Sequence, residues 1–227
     1  MRVAALYDVH ANLPALEAVL AEVQREQPDV VLFGGDLVWG PWPRETLELA
    51  LSLGAHAVYV RGNWERGLFD TEEESAVWVR ERLTSAQREL VRGWPHTTSL
   101  DGVLYCHATP RSDEELVLPG FGRSPWEEAF GGVAQGIVVC GHTHVQFDVE
   151  YAHHRIVNPG SVGNPTVRAT AWWALLGNDV DLRTTDYDTA GTAAAMRATG
   201  FPRPQLADEL LEPHALERVL ELVESFA

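Results

Sequence analysis

Apolar positions along the chain follow two spacings that alternate. Residues 2–7 (RVAALY) are a short apolar run, read as a buried strand. Asn12 then offers an N-cap and Pro14 sits near a first helical turn. Leu13, Leu16, Val19, Leu20 and Val23 recur at helical spacing and would face a sheet. Pro28 ends that helix, and residues 30–33 (VVLF) begin the cycle again as strand, followed by a helix over 44–53 and a strand over 57–60. Such alternation predicts parallel strands with helical crossovers.

The middle of the chain is more helical, with helices expected over 73–83 and 85–92. Beyond residue 95 the period falls to two. Residues 97–100, Asp101-Gly102 and 103–105 read as a hairpin with a type I′ turn. Further strands are expected over 137–140, 147–151, 155–157, 170–176 and 180–185, with a tight turn at Asn178-Asp179. Residues 110–135 are punctuated by Gly and Pro and read as a long loop with a short helix around Trp126; long loops in compact domains tend to carry function. Helices are expected over 189–199 and 213–226, the latter with Leu216, Val219, Leu220 and Val223 as an apolar stripe. We expect one α/β domain over residues 1–185 and a C-terminal helical extension, 186–227, packed on it.

Composition narrows the function. The 227 residues are 45% apolar, enough to bury a full core. Against 33 acids stand 17 bases, for a net charge of −16, which argues against a face that coats nucleic acid or anionic lipid. An anionic substrate must therefore be attracted by something local, such as a bound metal. Every base is arginine; without lysine there is no Walker-type phosphate loop and no Schiff-base chemistry. Cys106 and Cys140 sit in apolar runs and read as buried free thiols. No basic leader or 18-residue apolar window is present, so the expected location is the cytoplasm, with no membrane span.

The candidate chemistry collects where strands are expected to end. Asp8-Val9-His10 follows the first strand, Gly35-Asp36 the second and Gly62-Asn63 the third; His107 and Gly141-His142-Thr143-His144 follow two later ones. In open α/β sheets, sites form beyond the carboxyl ends of strands, so these segments should converge on one crevice. Two Asp, one Asn and four His make the donor set of a two-metal site, suited to manganese, iron, zinc or nickel rather than to thiolate-bound copper. Each element alone is commonplace; a Gly-Asp is only a turn signal. The ordered set is specific, and a carboxylate can bridge two cations, a role for which Asp36 is the natural candidate.

That ordered set, with Asn158-Pro-Gly-Ser-Val-Gly163 and residues 37–43 (LVWGPWP), resembles the calcineurin-like metallophosphoesterase superfamily, in particular its small bacterial phosphodiesterase branch, over roughly residues 2–185. The resemblance implies a four-layer α/β/β/α sandwich with two mixed sheets flanked by helices. It implies two divalent metal ions, manganese foremost, the first on Asp8, His10, Asp36 and His144 and the second on Asp36, Asn63, His107 and His142. A water or hydroxide between the metals would attack phosphorus in line.

This chain departs from the family in reading Gly62-Asn63-Trp64-Glu65, where the family places a histidine after the asparagine to protonate the leaving group. Indole has no transferable proton near neutral pH. Without a general acid, usually worth about 10²–10⁴-fold, poor alkoxide leaving groups suffer most. That favours a phosphodiesterase of small phosphoesters, nucleotides among them. The alternatives are a phosphomonoesterase or serine/threonine phosphatase, a dinucleoside polyphosphate hydrolase, and a non-catalytic interaction scaffold of the same fold. Asn63, Arg66 and Trp39 are the candidate substrate contacts, with Arg61, Arg111 and Arg168 as further phosphate contacts. Trp39, Trp42 and Trp64 either line the site and stack an aryl group or base, or anchor loops. Glu65 reads as a helix-start or orienting residue, His153 and His154 as a hairpin-turn pair, and His56, His96 and His214 as ordinary structural residues. No stable nucleic-acid partner is expected, and a homo-oligomer stays open.

Overall fold

The computed structural model describes residues 1–120 and 123–212; the helix expected over 213–226 and His214 lie outside them. Ten strands form two five-stranded sheets. In the first, β1 (Val3–Leu6), β2 (Val30–Phe33) and β3 (Ala57–Tyr59) run parallel, and β9 (Ala171–Leu176) and β10 (Val180–Thr185) extend the β1 edge antiparallel, in the order β10-β9-β1-β2-β3. The second sheet comprises β4 (Thr97–Leu100), β5 (Val103–Cys106), β6 (Ile137–Val139), β7 (Phe147–Tyr151) and β8 (His154–Asn158), ordered β4-β5-β6-β8-β7. Strands β5, β6 and β8 are parallel, and a hairpin closes each edge.

Period-two alternation sorts the strands into layers. Val3, Ala5 and Tyr7 face Tyr105, Val139 and Val157 of the other sheet, building the core between sheets. Ala4 and Leu6 point the other way, onto Leu16, Val19 and Val23 of α1 (Leu13–Glu26) and Leu47 and Ala50 of α2 (Pro43–Leu51). On the far side, Cys106, Val138, Cys140 and Ile156 pack under Trp126 and Phe130 of a helix spanning Arg123–Phe130. The result is helices, sheet, sheet, helix. The Tyr7 hydroxyl, buried between the sheets, donates to the Val139 carbonyl at 3.0 Å, so this polar group costs little.

Local chemistry sets the element ends. Asn12 caps α1 by accepting from the Ala15 amide at 3.3 Å, and Gln27 stops the helix in a left-handed conformation before Pro28. Asp101 and Gly102 both take positive φ, 50° and 81°, as a type I′ turn requires. Between β3 and β4 lie α3 (Asn63–Gly67), α4 (Glu74–Arg82) and α5 (Ser85–Arg92); the helix beyond β5 is α6.

Element bounds differ from the pattern by a residue or two in places, and α3 is not among the expected helices. The first strand spans Val3–Leu6 and is shorter than 2–7; the Tyr7 carbonyl accepts from the Val162 amide of the 158–163 turn and its side chain stays in the core between the sheets. The C-terminal segment holds α7 (Thr189–Ala198) and an unanticipated short helix, α8 (Gln205–Leu211). Ala193, Met196, Ala207 and Leu210 pack these helices together against Trp42 and Tyr187, while Phe201 and Leu206 join the main core. Among the described residues, no helix is long and apolar enough to cross a membrane.

Candidate metal centre

Parallel pairing brings the carboxyl ends of β1, β2 and β3 to one rim, and those of β5 and β6 arrive there from the facing sheet. The loops that follow carry the seven expected side chains, and they meet. One ligand atom each from Asp8, His10 and His144 lies within 4.8 Å of the others, and Asp36, His107 and His142 form a second such group. Asp36 stands between the groups: its Oδ2 is 3.4 Å from His107 Nε2 and 4.0 Å from His10 Nε2. Asn63 Oδ1 lies 3.0 Å from His107 Nε2.

The glycines preceding these residues are required by proximity. A Cβ on Gly62 would collide with Asp36 Oδ1, and one on Gly141 would stand 2.6 Å from Asp8 Oδ2. The Gly-Asn and Gly-His pairs therefore reflect how closely these backbones approach the carboxylates.

The donor set suits cations. Asp8 Oδ1 is fully buried and makes no hydrogen bond, although His144 Nε2 is 3.3 Å away and His10 and His107 are each 3.9 Å away. His10 Nε2 and His144 Nε2 face each other at 3.0 Å, two ring nitrogens aimed at one point. The Gly34 carbonyl accepts from His107 Nδ1 at 3.0 Å, which turns Nε2 inward; the Glu114 carbonyl accepts from His142 Nε2 at 3.1 Å, which leaves Nδ1 as that ring's acceptor. Burial opposes a charged His107, but Asp36 and Asp8 outweigh it and raise its pKa to about 10. Burial and His144 depress His10 to about 4. Burial also works against ionised Asp8, yet His144 and His107 hold its carboxyl well below the usual range.

Around this centre are supports, the first of them the Glu65 that the sequence reads as a helix-start or orienting residue. Glu65, fully buried, accepts four backbone N–H groups: Leu37 at 2.8 Å and Val38 at 3.1 Å on Oε1, Asp36 at 2.7 Å and Gly62 at 2.9 Å on Oε2. Burial and the charge on Asp36 raise its carboxyl to about 7, the backbone donors drawing it back. The 158–163 turn is a second brace. Ser161 Oγ donates to the Asp8 carbonyl at 2.8 Å, and Asn158 Nδ2 donates to the Gly141 carbonyl at 2.9 Å.

A cavity of about 260 Å³ opens on the centre and is lined by His10, Asp36, His142 and His144 together with Trp39 and Trp64. The two indoles stack at 4.0 Å, and Trp39 Nε1 donates to Ser75 Oγ at 2.9 Å, so Trp39 anchors its loop as well as bordering the cavity. The remaining lining includes Arg203, Gln205, Leu206 and Glu209, from a segment the sequence marked only as an appendage. Arg66 is engaged elsewhere: it pairs with Asp113 at 2.9 Å and Glu114 at 2.6 Å, and does not line the cavity. Arg111 is held by Glu115 and Glu128, and Arg168 by Asp186. His154, in the β7–β8 hairpin, bonds the carbonyl of Gln135, which precedes β6.

Residues 1–179 match the model of the calcineurin-like phosphoesterase superfamily domain, and the chain belongs to that superfamily. A metallophosphoesterase from Sphaerobacter thermophilus is similar over 93% of this chain and 99% of its own, with a TM-score of 0.80 and 26% identity. The hypothetical protein PH1004 from Pyrococcus horikoshii shares the fold over 92% of this chain and 97% of its own, with a TM-score of 0.78 and 20% identity. The uncharacterised protein MJ0912 of Methanocaldococcus jannaschii is 24% identical over 198 residues, 72% of this chain and 76% of that protein.

Proposed function

We propose that this chain is a dinuclear-metal-dependent phosphodiesterase of small phosphoesters. The observation that carries the reading is the pair of buried ligand groups meeting at Asp36, with an indole where a proton donor would stand. Asp8, His10, His144 and Asp36 would hold one cation, and Asp36, Asn63, His107 and His142 the other. A divalent pair of this kind, manganese foremost, supplies a water of lowered pKa and neutralises charge on the phosphoryl oxygens.

The protein's own part is position and selection. Glu65 and the 158–163 turn fix the loops that carry Asp36, Asp8 and His142, so the ligands need not reorganise when charge develops. The Trp64 amide donates to Asp36 Oδ1 at 3.0 Å, which orients the shared carboxylate. Its indole offers no proton to a departing alkoxide. Of the described residues that line the cavity, the ionisable ones outside the ligand set are Arg203 and Glu209, and neither is an imidazole. Substrates whose leaving group is stable unprotonated, such as aryl, nucleotidyl or phosphoryl groups, are therefore favoured over alkyl monoesters. A cavity of about 260 Å³ lies just below the roughly 300 Å³ at which ligand pockets usually begin, and suits a small ester better than a phosphorylated polypeptide.

The test is a metal-dependent screen with bis-p-nitrophenyl phosphate, p-nitrophenyl phosphate, cyclic nucleotides and dinucleoside polyphosphates. Manganese-dependent cleavage of the diester at least as fast as the monoester is expected. Monoester hydrolysis far exceeding every diester at saturating manganese would refute the diesterase assignment.

A further inference from the structure

We propose that Arg203 is a substrate-binding residue, and that the segment carrying it makes the site selective for small phosphoesters bearing a second phosphoryl group. The proposal rests on the hydrolytic reading above and adds to it a recognition element outside the ligand set.

In a chain of net charge −16, the cavity at the candidate centre has one arginine among its described lining residues, and it is Arg203. Its guanidinium lies 5.8 Å from the centre of the Trp39 ring, and that ring lies 5.6 Å, edge on, from the ring of His10. Arg203 thus shares one cavity with His10, Asp36, His142 and His144, so a second phosphoryl group on an ester held at those ligands meets it as the one guanidinium of the described lining. The side chain is 37% exposed, open enough to meet a ligand.

Arg203 is also pre-oriented. Its Nε and Nη2 hold Glu73 Oε1 at 3.3 and 2.9 Å, leaving Nη1 outside that pair. Glu73 in turn accepts from Ser75 Oγ, the same hydroxyl that accepts from Trp39 Nε1. One polar chain thus ties Arg203 to the loop that carries Asp36. A planar donor fork fixed in this way recognises phosphoryl oxygens with less lost freedom than a loose lysine would. Gln205 and Glu209, four residues apart on α8, line the same cavity.

AMP and ADP share base and sugar and differ by one phosphoryl group, so they serve as probes. Their binding to the manganese-loaded protein is measured by calorimetry, alongside hydrolysis of bis-p-nitrophenyl phosphate. ADP should bind the wild type more tightly than AMP. Arg203→Ala should weaken ADP by about 10–100-fold, the worth of a charge-assisted contact, and leave AMP within a few-fold. Glu73→Gln frees the guanidinium without removing it and should preserve the ADP preference. If Arg203 serves only to anchor α8, Arg203→Ala and Glu73→Gln will erode both nucleotides alike, and the proposal fails. It fails equally if the wild type does not distinguish ADP from AMP. An Arg203-dependent ADP preference without turnover of any ester would uphold the recognition element and remove the hydrolytic reading; turnover with no such preference would do the reverse.

Discussion

Glu65 offers the sharpest test of how this fold holds its centre, because one carboxylate is asked to satisfy four buried donors. Its two oxygens share them evenly, with Leu37 and Val38 on one and Asp36 and Gly62 on the other. A glutamine is nearly the same size but carries a single acceptor oxygen. Whichever way its amide turns, it keeps two of the four bonds and sets an NH₂ against the other two N–H groups. Each hydrogen bond to a charged group contributes about 1.5–3 kcal/mol net, so losing two costs roughly 3–6 kcal/mol. That is a large share of the roughly 5–15 kcal/mol that stabilises a typical domain.

The measurement is urea unfolding of the metal-free protein at pH 8, above the value of about 7 to which burial and Asp36 raise the carboxyl, so that Glu65 is ionised. With a urea slope of about 2–3 kcal/mol per molar, Glu65→Gln should lower the midpoint by at least about 1 M. The same change loosens the Asp36 amide, and outer supports of metal ligands are typically worth about 10–100-fold in affinity. Calorimetric manganese affinity should fall by that order. An unchanged midpoint would refute the four-donor clamp. A lower midpoint with undiminished manganese affinity would show that Glu65 holds the fold and does not position Asp36.

Other consequences are equally open to measurement. Asp36→Asn removes the carboxylate between the two groups, so elemental analysis should find both metals depleted and turnover reduced by more than 100-fold, beyond what outer-shell changes usually cost; full occupancy of either site would exclude the shared role. Trp64→His restores a donor beside the centre and should raise cleavage of alkyl esters by at least about tenfold, a fraction of the roughly 10²–10⁴-fold that a fully placed general acid supplies, while p-nitrophenyl esters change little. His107 gives a pH signature. Its folded pKa of about 10 lies above the ordinary 6.5, chiefly through Asp36 and Asp8, so its contribution to stability is complete below pH 6.5 and is lost as the pH rises toward 10. Urea midpoints of the metal-free protein should decline over that window, and saturating manganese, which takes the place of the proton, should flatten the decline; a flat metal-free profile would mean that His107 is neutral there.

Much of this arrangement was legible in the sequence because single physical signals carried it. Residues 30–33, 85–92, 147–151 and 180–185 form the expected elements to the residue, since apolar alternation and capping decide them locally. The seven convergent side chains could be located because they directly follow apolar strand runs, three of them as Gly-Asp, Gly-Asn and Gly-His. Other features depend on contacts that no local pattern records. Helix α8 is seven residues long and follows Pro202 and Pro204, so it lacks the repeat that flags a longer helix; Leu206, Ala207 and Leu210 were the available signal. Its place beside the candidate centre follows from packing against Trp42 and the main core. Arg66 suited a phosphate contact by its position after Asn63, yet Asp113 and Glu114, almost fifty residues away, claim it.

Backbone conformation adds a line of argument that motif spacing cannot. Of nine non-glycine residues with positive φ among those described, five are Asp8, His10, Asp36, His142 and His144, at 48–67°. Such conformations cost a side-chain-bearing residue about 1–2 kcal/mol each, and they persist only where surrounding contacts over-determine them. Here those contacts are visible: Glu65 grips the Asp36 loop, Ser161 holds the Asp8 carbonyl, and Asn158 holds Gly141 beside His142. Glycine at any of the five would relieve the strain and lose the donor atom. A chain under no demand but stability would take that exchange. Retaining Asp and His at these angles, with buried groups devoted to bracing them, is what a site built around convergent donors requires, and it ties the strain to the same side chains that the strand-end motifs identify.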